Sequence, residues 1–409
     1  MDQPTAAARG RTGSAPGIAI VGGGIGGLAA AAFLHQAGLR STVYEQAAEL
    51  REVGAGLVVA PNAARLLRRL GVLDAFARRA VRLEVGWEFR RWRDGTVLSA
   101  EDLEAACERL YGEHTYTAHR ADLLEVIESA VPADSIRLDR RCTGLDTLGS
   151  RPVLRFDDGD AVEADVVIGA DGTHSIVRGV LHGETPATYS GLCAFRALVP
   201  VAQAPAFARR PAQTLWIGPG HHLVHYPVSA GRLVNLVAFA PAGEDSVESW
   251  SATGTVGEFL AEFDGWDPRL AELIRAGGTP GRWALLDRPP LRRWSDGPVT
   301  LLGDAAHPMF PFFAQGAAQA MEDAAVLARC LADGRSDPVQ ALHRYEELRI
   351  ARTSRLQELS HARSDLNHLP DGPQQQARDQ SFGQADPLLA NGWIYEYNPD
   401  TAVGAPAVS

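Results

Sequence analysis

Cysteine is scarce in this chain and is never arranged for metal or disulfide chemistry. The 409 residues contain four cysteines, all isolated and without a Cys-x-x-Cys pair. The pattern is typical of reduced thiols, and it excludes a disulfide-stapled scaffold and a zinc-finger type of site. We therefore expect a cytoplasmic protein with no bound metal, in which Cys107, Cys142, Cys193 and Cys330 are small buried side chains.

Positive charge and long apolar runs are also in short supply. Lys and Arg together number 39 against 50 Asp and Glu, so the formal net charge is −11, which argues against a surface built for nucleic acid or anionic lipid. Residues 18–34 form an uncharged stretch, but a glycine cluster divides it into a strand-like and a helix-like half. We predict a buried strand–turn–helix unit there and no membrane span. Residues 1–16 are polar and rich in Ala, Gly and Pro, and are expected to be a disordered leader.

A glycine-rich turn follows the first apolar strand. Gly22, Gly24 and Gly27 have the spacing Gly-x-Gly-x-x-Gly, and an Ala/Leu-rich helix follows over residues 26–37. Such a turn allows a tight bend, brings backbone amides close to a pyrophosphate and packs the helix against the strand. Glu45 lies 18 residues after the last of these glycines, where a carboxylate can accept both hydroxyls of an adenosine ribose. The combination predicts a dinucleotide site.

Two further turns place an acidic residue at the end of a buried strand. Asp171 follows the apolar run 165–169, and Asp304 follows the run 299–302. A strongly helical segment then begins at Gly316. Ligands of open α/β sheets bind at the carboxyl ends of the strands. Three turns that each follow a buried strand therefore predict one long cofactor bound along the edge of a single sheet.

These segments together resemble the single-component FAD-dependent aromatic hydroxylases (group A flavoprotein monooxygenases), and among them the salicylate, 3-hydroxybenzoate and 6-hydroxynicotinate hydroxylases. The resemblance implies an α/β protein with the fold of para-hydroxybenzoate hydroxylase. In that fold a Rossmann-like FAD-binding domain carries an inserted antiparallel-sheet substrate domain and C-terminal helices. The segments that carry the resemblance are GGGIGG (22–27), Glu45, residues 52–74, residues 119–123, GADGTHSIVR (169–178), residues 303–324 and residues 393–397.

The resemblance also implies the cofactor and its ligands. FAD would be the bound cofactor, and NADH or NADPH would bind transiently as electron donor, without a Rossmann domain of its own. Arg120 opens a predicted helix and would reach the pyrophosphate, and the start of the helix at Gly316 would line the isoalloxazine. The residues expected to contact FAD are Gly22, Gly24, Ile25, Gly27, Glu45, Gln46, Gly54, Arg120, Asp171, Asp304, Gly316 and Ala317.

The chain changes character over residues 185–295, where short alternating runs are separated by Gly and Pro. This pattern is typical of antiparallel sheet, and we expect the segment to form the substrate-binding domain. The FAD-binding domain would then be discontinuous, with residues 17–184 and 296–366. Residues 367–409 would be a C-terminal extension.

One strand of the middle segment carries two candidate catalytic residues. By the two-residue period of a strand, His222, Val224 and Tyr226 share a face, and His225 points the other way. The resemblance places a His and a Tyr at this spacing in the active site. His222, with an ordinary imidazole pKa of ~6.5, would take or relay a phenolic proton, and Tyr226 would orient the phenolate. Plain packing is the alternative for both.

The loop after the third strand supplies the third catalytic candidate. Pro311 matches a family proline whose backbone faces the reaction site. Phe310, Phe312 and Phe313 are expected to form apolar walls that keep water out. His307 lies in the same loop and is expected to have a structural role in fixing the turn.

The predicted function is FAD-dependent hydroxylation of a small phenolic or aminoaromatic, benzoate-type ring through a C4a-hydroperoxyflavin. NAD(P)H and O2 would be consumed, decarboxylation is left open, and a monomer or homodimer is expected. No arginine is assigned to a substrate carboxylate, because solvated or structural roles are expected for Arg196 and Arg232. Two alternatives stay open: a hydroxylase or epoxidase of a larger secondary metabolite, and a non-catalytic flavin-binding protein.

Overall fold

The structure, a computed structural model, describes residues 17–50, 55–183, 187–242, 253–382, 384 and 386–404. The strands of these residues are β1 (Ile18–Val21), β2 (Ser41–Tyr44), β3 (Gly56–Val59), β4 (Val81–Arg82), β5 (Val85–Arg91), β6 (Val97–Asp102), β7 (Tyr116–His119), β8 (Ile136–Arg137), β9 (Cys142–Asp146), β10 (Val153–Phe156), β11 (Ala161–Glu163), β12 (Val166–Gly169), β13 (Thr188–Pro200), β14 (Ala212–Gly218), β15 (His221–Val228), β16 (Leu233–Pro241), β17 (Gly281–Asp287), β18 (Ser295–Asp296) and β19 (Val299–Leu301). The helices are α1 (Ile25–Gln36), α2 (Pro61–Arg69), α3 (Leu73–Ala77), α4 (Leu103–Tyr111), α5 (Arg120–Glu128), α6 (Ile176–His182), α7 (Val256–Glu262), α8 (Pro268–Ala276), α9 (Gly316–Asp333), α10 (Pro338–Asn367), α11 (Pro373–Ser381), α12 (Pro387–Ala390), α13 (Gly392–Tyr395) and α14 (Pro399–Gly404).

A mainly parallel sheet brings the three predicted turns to one edge. Its strand order is β18-β19-β12-β1-β2-β8. Val21 of β1 stands level with Gly169 of β12, which in turn stands level with Leu301 of β19. The parallel strands therefore end together, and the residues that follow each of them meet at the carboxyl edge, where open α/β sheets bind ligands.

A second, seven-stranded sheet has the order β17-β13-β16-β15-β14-β5-β6. The strands expected between residues 185 and 295 are present, and β13 to β17 pair antiparallel with one another. The sheet also recruits β5 and β6, and β14 pairs with β5 in parallel. It is thus wider than the middle segment and not antiparallel throughout.

The two faces of the seven-stranded sheet have different partners because successive side chains of a strand alternate. One face packs against α7 and α8, where Phe259 and Leu273 join a core that includes Leu223 and Trp216. The opposite face carries Val224 and Tyr226 and packs with Phe312 of the loop before α9. This second face looks toward the carboxyl edge of the parallel sheet.

The long helix α10 and the segment after it close the molecule against α9. Tyr395 packs on Tyr111, with ring centroids 5.3 Å apart, and its hydroxyl accepts a hydrogen bond from Nε1 of Trp87 at 3.2 Å. The C-terminal segment that contains Tyr395 therefore packs on the body of the chain. Within the described ranges, no helix combines the length and apolar character needed to cross a membrane.

Candidate active site

A cavity of about 770 Å³ lies between the carboxyl edge of the parallel sheet and the inner face of the seven-stranded sheet. The three turns predicted from the sequence all reach it, as does the strand that carries the two catalytic candidates. Almost all of the sequence-predicted site residues line this one cavity, namely Gly22, Gly24, Ile25, Glu45, Gln46, Arg120, Asp171, His222, Tyr226, Asp304, Pro311, Gly316 and Ala317. Gly54, also predicted, lies outside the described residues.

The glycines of the first turn serve different purposes. Gly22 has a φ of +105°, and a Cβ there would lie 2.4 Å from the carbonyl oxygen of Ala170. A Cβ on Gly27 would lie 2.0 Å from the carbonyl oxygen of Gly22, so this glycine allows α1 to pack on the turn and does not line the cavity. A Cβ on Gly24, in contrast, would meet nothing within 4 Å. The backbone at Gly24 is open to a ligand, and this opening fits the pyrophosphate of a dinucleotide.

Two of the predicted acidic residues are already held by backbone amides. The Glu45 carboxylate accepts hydrogen bonds from the amides of Gly23 at 2.6 Å and Ala47 at 2.9 Å. The Asp171 carboxylate accepts from the Ser175 hydroxyl at 2.5 Å and from the first amides of α6. Burial raises the pKa of Asp171. Both carboxylates line the cavity while fixing the turns that surround it.

Arg178 joins the second turn to the third. Its guanidinium donates to the carbonyl oxygen of Ala305 at 2.9 Å and to that of Thr173. Burial lowers the pKa of Arg178 to about 10, so it stays charged at neutral pH. The register that places Asp171 and Asp304 at one edge of the sheet is therefore reinforced by a buried cation between their turns.

The inner face of the seven-stranded sheet presents three rows of side chains to the cavity. The strand register defines the rows, because residues directly opposite each other on neighbouring strands share a face. The rows are His222 with Phe239, then Leu215 with Val224, Val237 and Arg196, then Tyr226 with Asn235. The histidine row and the tyrosine row are thus separated by an apolar strip of Leu and Val, and Arg196 lies at one end of that strip.

His222 is the polar group of the first row. Its ring stacks on Phe239, with centroids 4.5 Å apart, and meets the edge of Phe312 at 5.0 Å. Its Nδ1 lies 2.6 Å from Nε2 of His368, which follows α10. Burial, together with His368, lowers the pKa of His222 well below the ordinary value. His225 points to the other face, as predicted, where its Nε2 accepts a hydrogen bond from Nε1 of Trp216 at 3.2 Å.

Arg196, for which a solvated or structural role was expected, faces the cavity. It lines the cavity and lies over the ring of Trp283, with 4.7 Å from Cζ to the centroid. Its Nε is buried and has no hydrogen-bond partner among the described residues, and none of the described carboxylates forms an ion pair with this guanidinium. Burial lowers its pKa to about 10, which still leaves the guanidinium charged at neutral pH.

The loop between β19 and α9 directs two of its three phenylalanines toward the cavity and the third away from it. Phe310 and Phe312 line the cavity beside Pro311. Phe313 does not, which corrects the expectation for this residue. It packs against Trp87, with centroids 6.1 Å apart, because the turn that begins at Pro311 directs it toward the opposite side.

A buried ionic cluster lies behind the start of α9. The expected structural role of His307 agrees with its position, since its Nε2 lies 2.5 Å from a carboxylate oxygen of Asp323. Arg349 of α10 donates to Asp323 and to Glu322, both at 2.7 Å. Asn62 of α2 also donates to Glu322 at 2.7 Å. The cluster locks α2, α9 and α10 together and thereby fixes the cavity edge at Gly316.

Comparison with known proteins agrees with this site. The model of the FAD binding domain family matches residues 17–360. The chain is 44% identical over 382 residues to a 3-amino-4-hydroxybenzoate 2-monooxygenase of Streptomyces platensis, covering 93% of this chain and 96% of the relative. It is 36% identical to 3-hydroxybenzoate 6-hydroxylase 1 of Aquipseudomonas alcaligenes, covering 92% and 96%.

Solved structures extend the likeness to the whole fold. A salicylate hydroxylase substrate complex matches with a TM-score of 0.80 at 26% identity, covering 96% of this chain and 98% of the other. HpxO of Klebsiella pneumoniae, complexed with FAD and uric acid, matches with a TM-score of 0.81 at 29% identity, covering 95% and 97%. The chain belongs to the FAD-binding-domain family and, within it, to the FAD-dependent aromatic monooxygenases.

Proposed function

We propose that this chain hydroxylates the ring of a small hydroxybenzoate or aminohydroxybenzoate, with FAD as bound cofactor, NADH or NADPH as electron donor and O2 as oxygen source. The observation that carries the benzoate assignment is Arg196, a half-buried cation with a fully buried Nε, which faces the cavity and has no carboxylate partner among the described residues. An uncompensated buried charge is costly, and a substrate carboxylate would compensate it. The names of the relatives cited above support the same class of substrate.

The residues for holding FAD are those of the three turns. The open backbone at Gly24 and the positive end of α1 suit the pyrophosphate, with Arg120 on the same cavity. Glu45 is placed to accept ribose hydroxyls, and Asp304 suits the ribityl chain. When bound and reduced, FAD supplies an electrophilic oxygen atom derived from O2.

The residues of the seven-stranded sheet bind and orient the ring. Arg196 holds the carboxylate, and Tyr226 donates a hydrogen bond to an anionic substituent, since burial raises the pKa of its hydroxyl and keeps it protonated. His222, on the opposite side of the apolar strip from Tyr226, accepts the phenolic proton, which makes the ring more electron-rich. Val224 and Phe312 help exclude water from the reacting atoms.

Substrate-stimulated NAD(P)H oxidation tests this assignment. The holoenzyme would be assayed with salicylate, 3-hydroxybenzoate, 4-hydroxybenzoate and 3-amino-4-hydroxybenzoate, and with the carboxamide of each acid as its control. The product masses would be measured by mass spectrometry. We expect one or more acids to be hydroxylated and each matching amide to be a much poorer substrate. Turnover of amides and acids alike, or of polycyclic phenols alone, would contradict the benzoate assignment. Product mass also reveals whether carbon dioxide is lost.

A further inference from the structure

His222 does not stand alone behind the substrate site, because it forms a pair with a histidine 146 residues away. Nδ1 of His222 lies 2.6 Å from Nε2 of His368, and the ring centroids are 4.8 Å apart. His222 is buried and lines the cavity, whereas His368 is only partly buried and is followed closely by the exposed residues Pro370 and Asp371. The two imidazoles therefore bridge the distance from the cavity wall to the protein surface.

The surroundings of the pair leave it few other proton partners. Among the described residues, the charged or titratable groups that act on His222 are His368 and His221, and its remaining ring contacts are Phe239 and Phe312. His221 is engaged elsewhere, with its Nδ1 2.9 Å from the Pro219 carbonyl oxygen and its Nε2 2.9 Å from the Glu262 carboxylate. His222 therefore has one nitrogen facing His368 and one, Nε2, left for a group in the cavity.

We propose that His368 is the second member of a proton relay that carries the phenolic proton of the substrate from His222 to solvent, an inference that rests on the proposed function. The phenolic O–H bond breaks as a bond to Nε2 of His222 forms. At the same time His222 passes its Nδ1 proton to Nε2 of His368, and His368 releases its own Nδ1 proton to water. One proton leaves the substrate and one reaches solvent, and both imidazoles end neutral. The reverse transfers restore the starting tautomers when the product departs.

A relay suits this site better than a single base. Burial lowers the pKa of both imidazoles, that of His368 to about 4, so a proton stored on either ring would be unfavourable at neutral pH. When an imidazole gains a proton at one nitrogen while it loses a proton from the other, the ring never carries a net charge. The position of His368 just after α10, a helix tied to α9 by the buried ionic cluster, holds the partner nitrogen in place.

The relay is tested with 4-nitrophenol, whose ionised form is seen directly by absorbance. The holoenzyme and the variants His368→Gln and His35→Gln would be mixed with this phenol, and the rate of ionisation in the bound state would be followed across pH. Glutamine can still accept the Nδ1 proton of His222 in a hydrogen bond but cannot pass a proton on. His35 lies exposed on α1 and serves as the matched control.

We expect ionisation to slow by about tenfold or more in the His368→Gln protein and to be unchanged in the control. Free imidazole should restore the rate in a His368→Ala protein, which separates a proton role from a purely structural one. Equal rates and pH profiles in the wild type and His368→Gln would overturn the relay. Slowed ionisation without turnover of any hydroxybenzoate would end the proposed function and leave the relay standing.

Discussion

Replacing Arg196 by methionine removes the buried cation while keeping most of the side-chain length over Trp283. A hydrogen bond to a charged group contributes about 1.5–3 kcal/mol. Loss of the pairing with a substrate carboxylate should therefore weaken binding roughly ten- to hundredfold, since each factor of ten corresponds to about 1.4 kcal/mol. Because Arg196 has no acidic partner among the described residues, its removal leaves no stranded carboxylate in the protein. The fold should be as stable as before, or more so.

The assay compares a hydroxybenzoate with its carboxamide by titration of the flavin absorbance. The wild type should bind the acid more tightly than the amide, and the Arg196→Met protein should bind the two about equally. Urea unfolding, run in parallel, should give a midpoint no lower than that of the wild type. If the variant still prefers the acid by the wild-type ratio, the carboxylate is bound elsewhere and the reasoning about Arg196 is wrong.

Three further predictions test other parts of the structure. Gly24→Ala should lower the ratio of flavin to protein absorbance but leave the thermal unfolding temperature of the flavin-free protein unchanged. Gly27→Ala should lower the unfolding temperature of the flavin-free protein, because its Cβ would lie 2.0 Å from a carbonyl oxygen; loss of flavin without destabilisation in this second variant would contradict this. Arg349→Leu removes the buried cation that joins Asp323 to Glu322, although Asp323 keeps His307 and Glu322 keeps Arg352 as partners, and should lower the free energy of unfolding by about 3 kcal/mol, while Arg329→Ala, which breaks an exposed pair, should lower it by at most about 1 kcal/mol. Burial raises the pKa of Glu101 to about 7 from 4.5, so the folded state binds its proton more tightly and stability should fall by about 3 kcal/mol as pH rises from 4.5 to 7; Glu101→Gln should flatten that part of the pH–stability curve.

The sequence predicts the parallel sheet and its turns well because their signals are local. The glycine spacing marks both the end of β1 and the start of α1, and the apolar runs before Asp171 and Asp304 mark β12 and β19. The alternation that put His222 and Tyr226 on one face is likewise a property of a single strand. Each of these features is decided by neighbours within a few residues.

The parts that were missed depend on contacts between distant segments. The pairing of β14 with β5 cannot be read from either strand alone, and it extends the seven-stranded sheet beyond residues 185–295. Arg196 resembles an ordinary strand arginine until the register sets it beside Val237, facing the cavity. His368 lies in a stretch that resembles a loose C-terminal extension, and only the packing of α10 brings it to His222.

If the three turns hold FAD against the inner face of the seven-stranded sheet, a ring bound there should receive an oxygen atom from O2. The most direct measurement is turnover of the best hydroxybenzoate under isotopically labelled dioxygen, with the product analysed by mass spectrometry. The account predicts one labelled oxygen atom in the ring for each NADH or NADPH consumed in coupled turnover. A purified protein that takes up no FAD, or a product whose new oxygen carries no label, would contradict it.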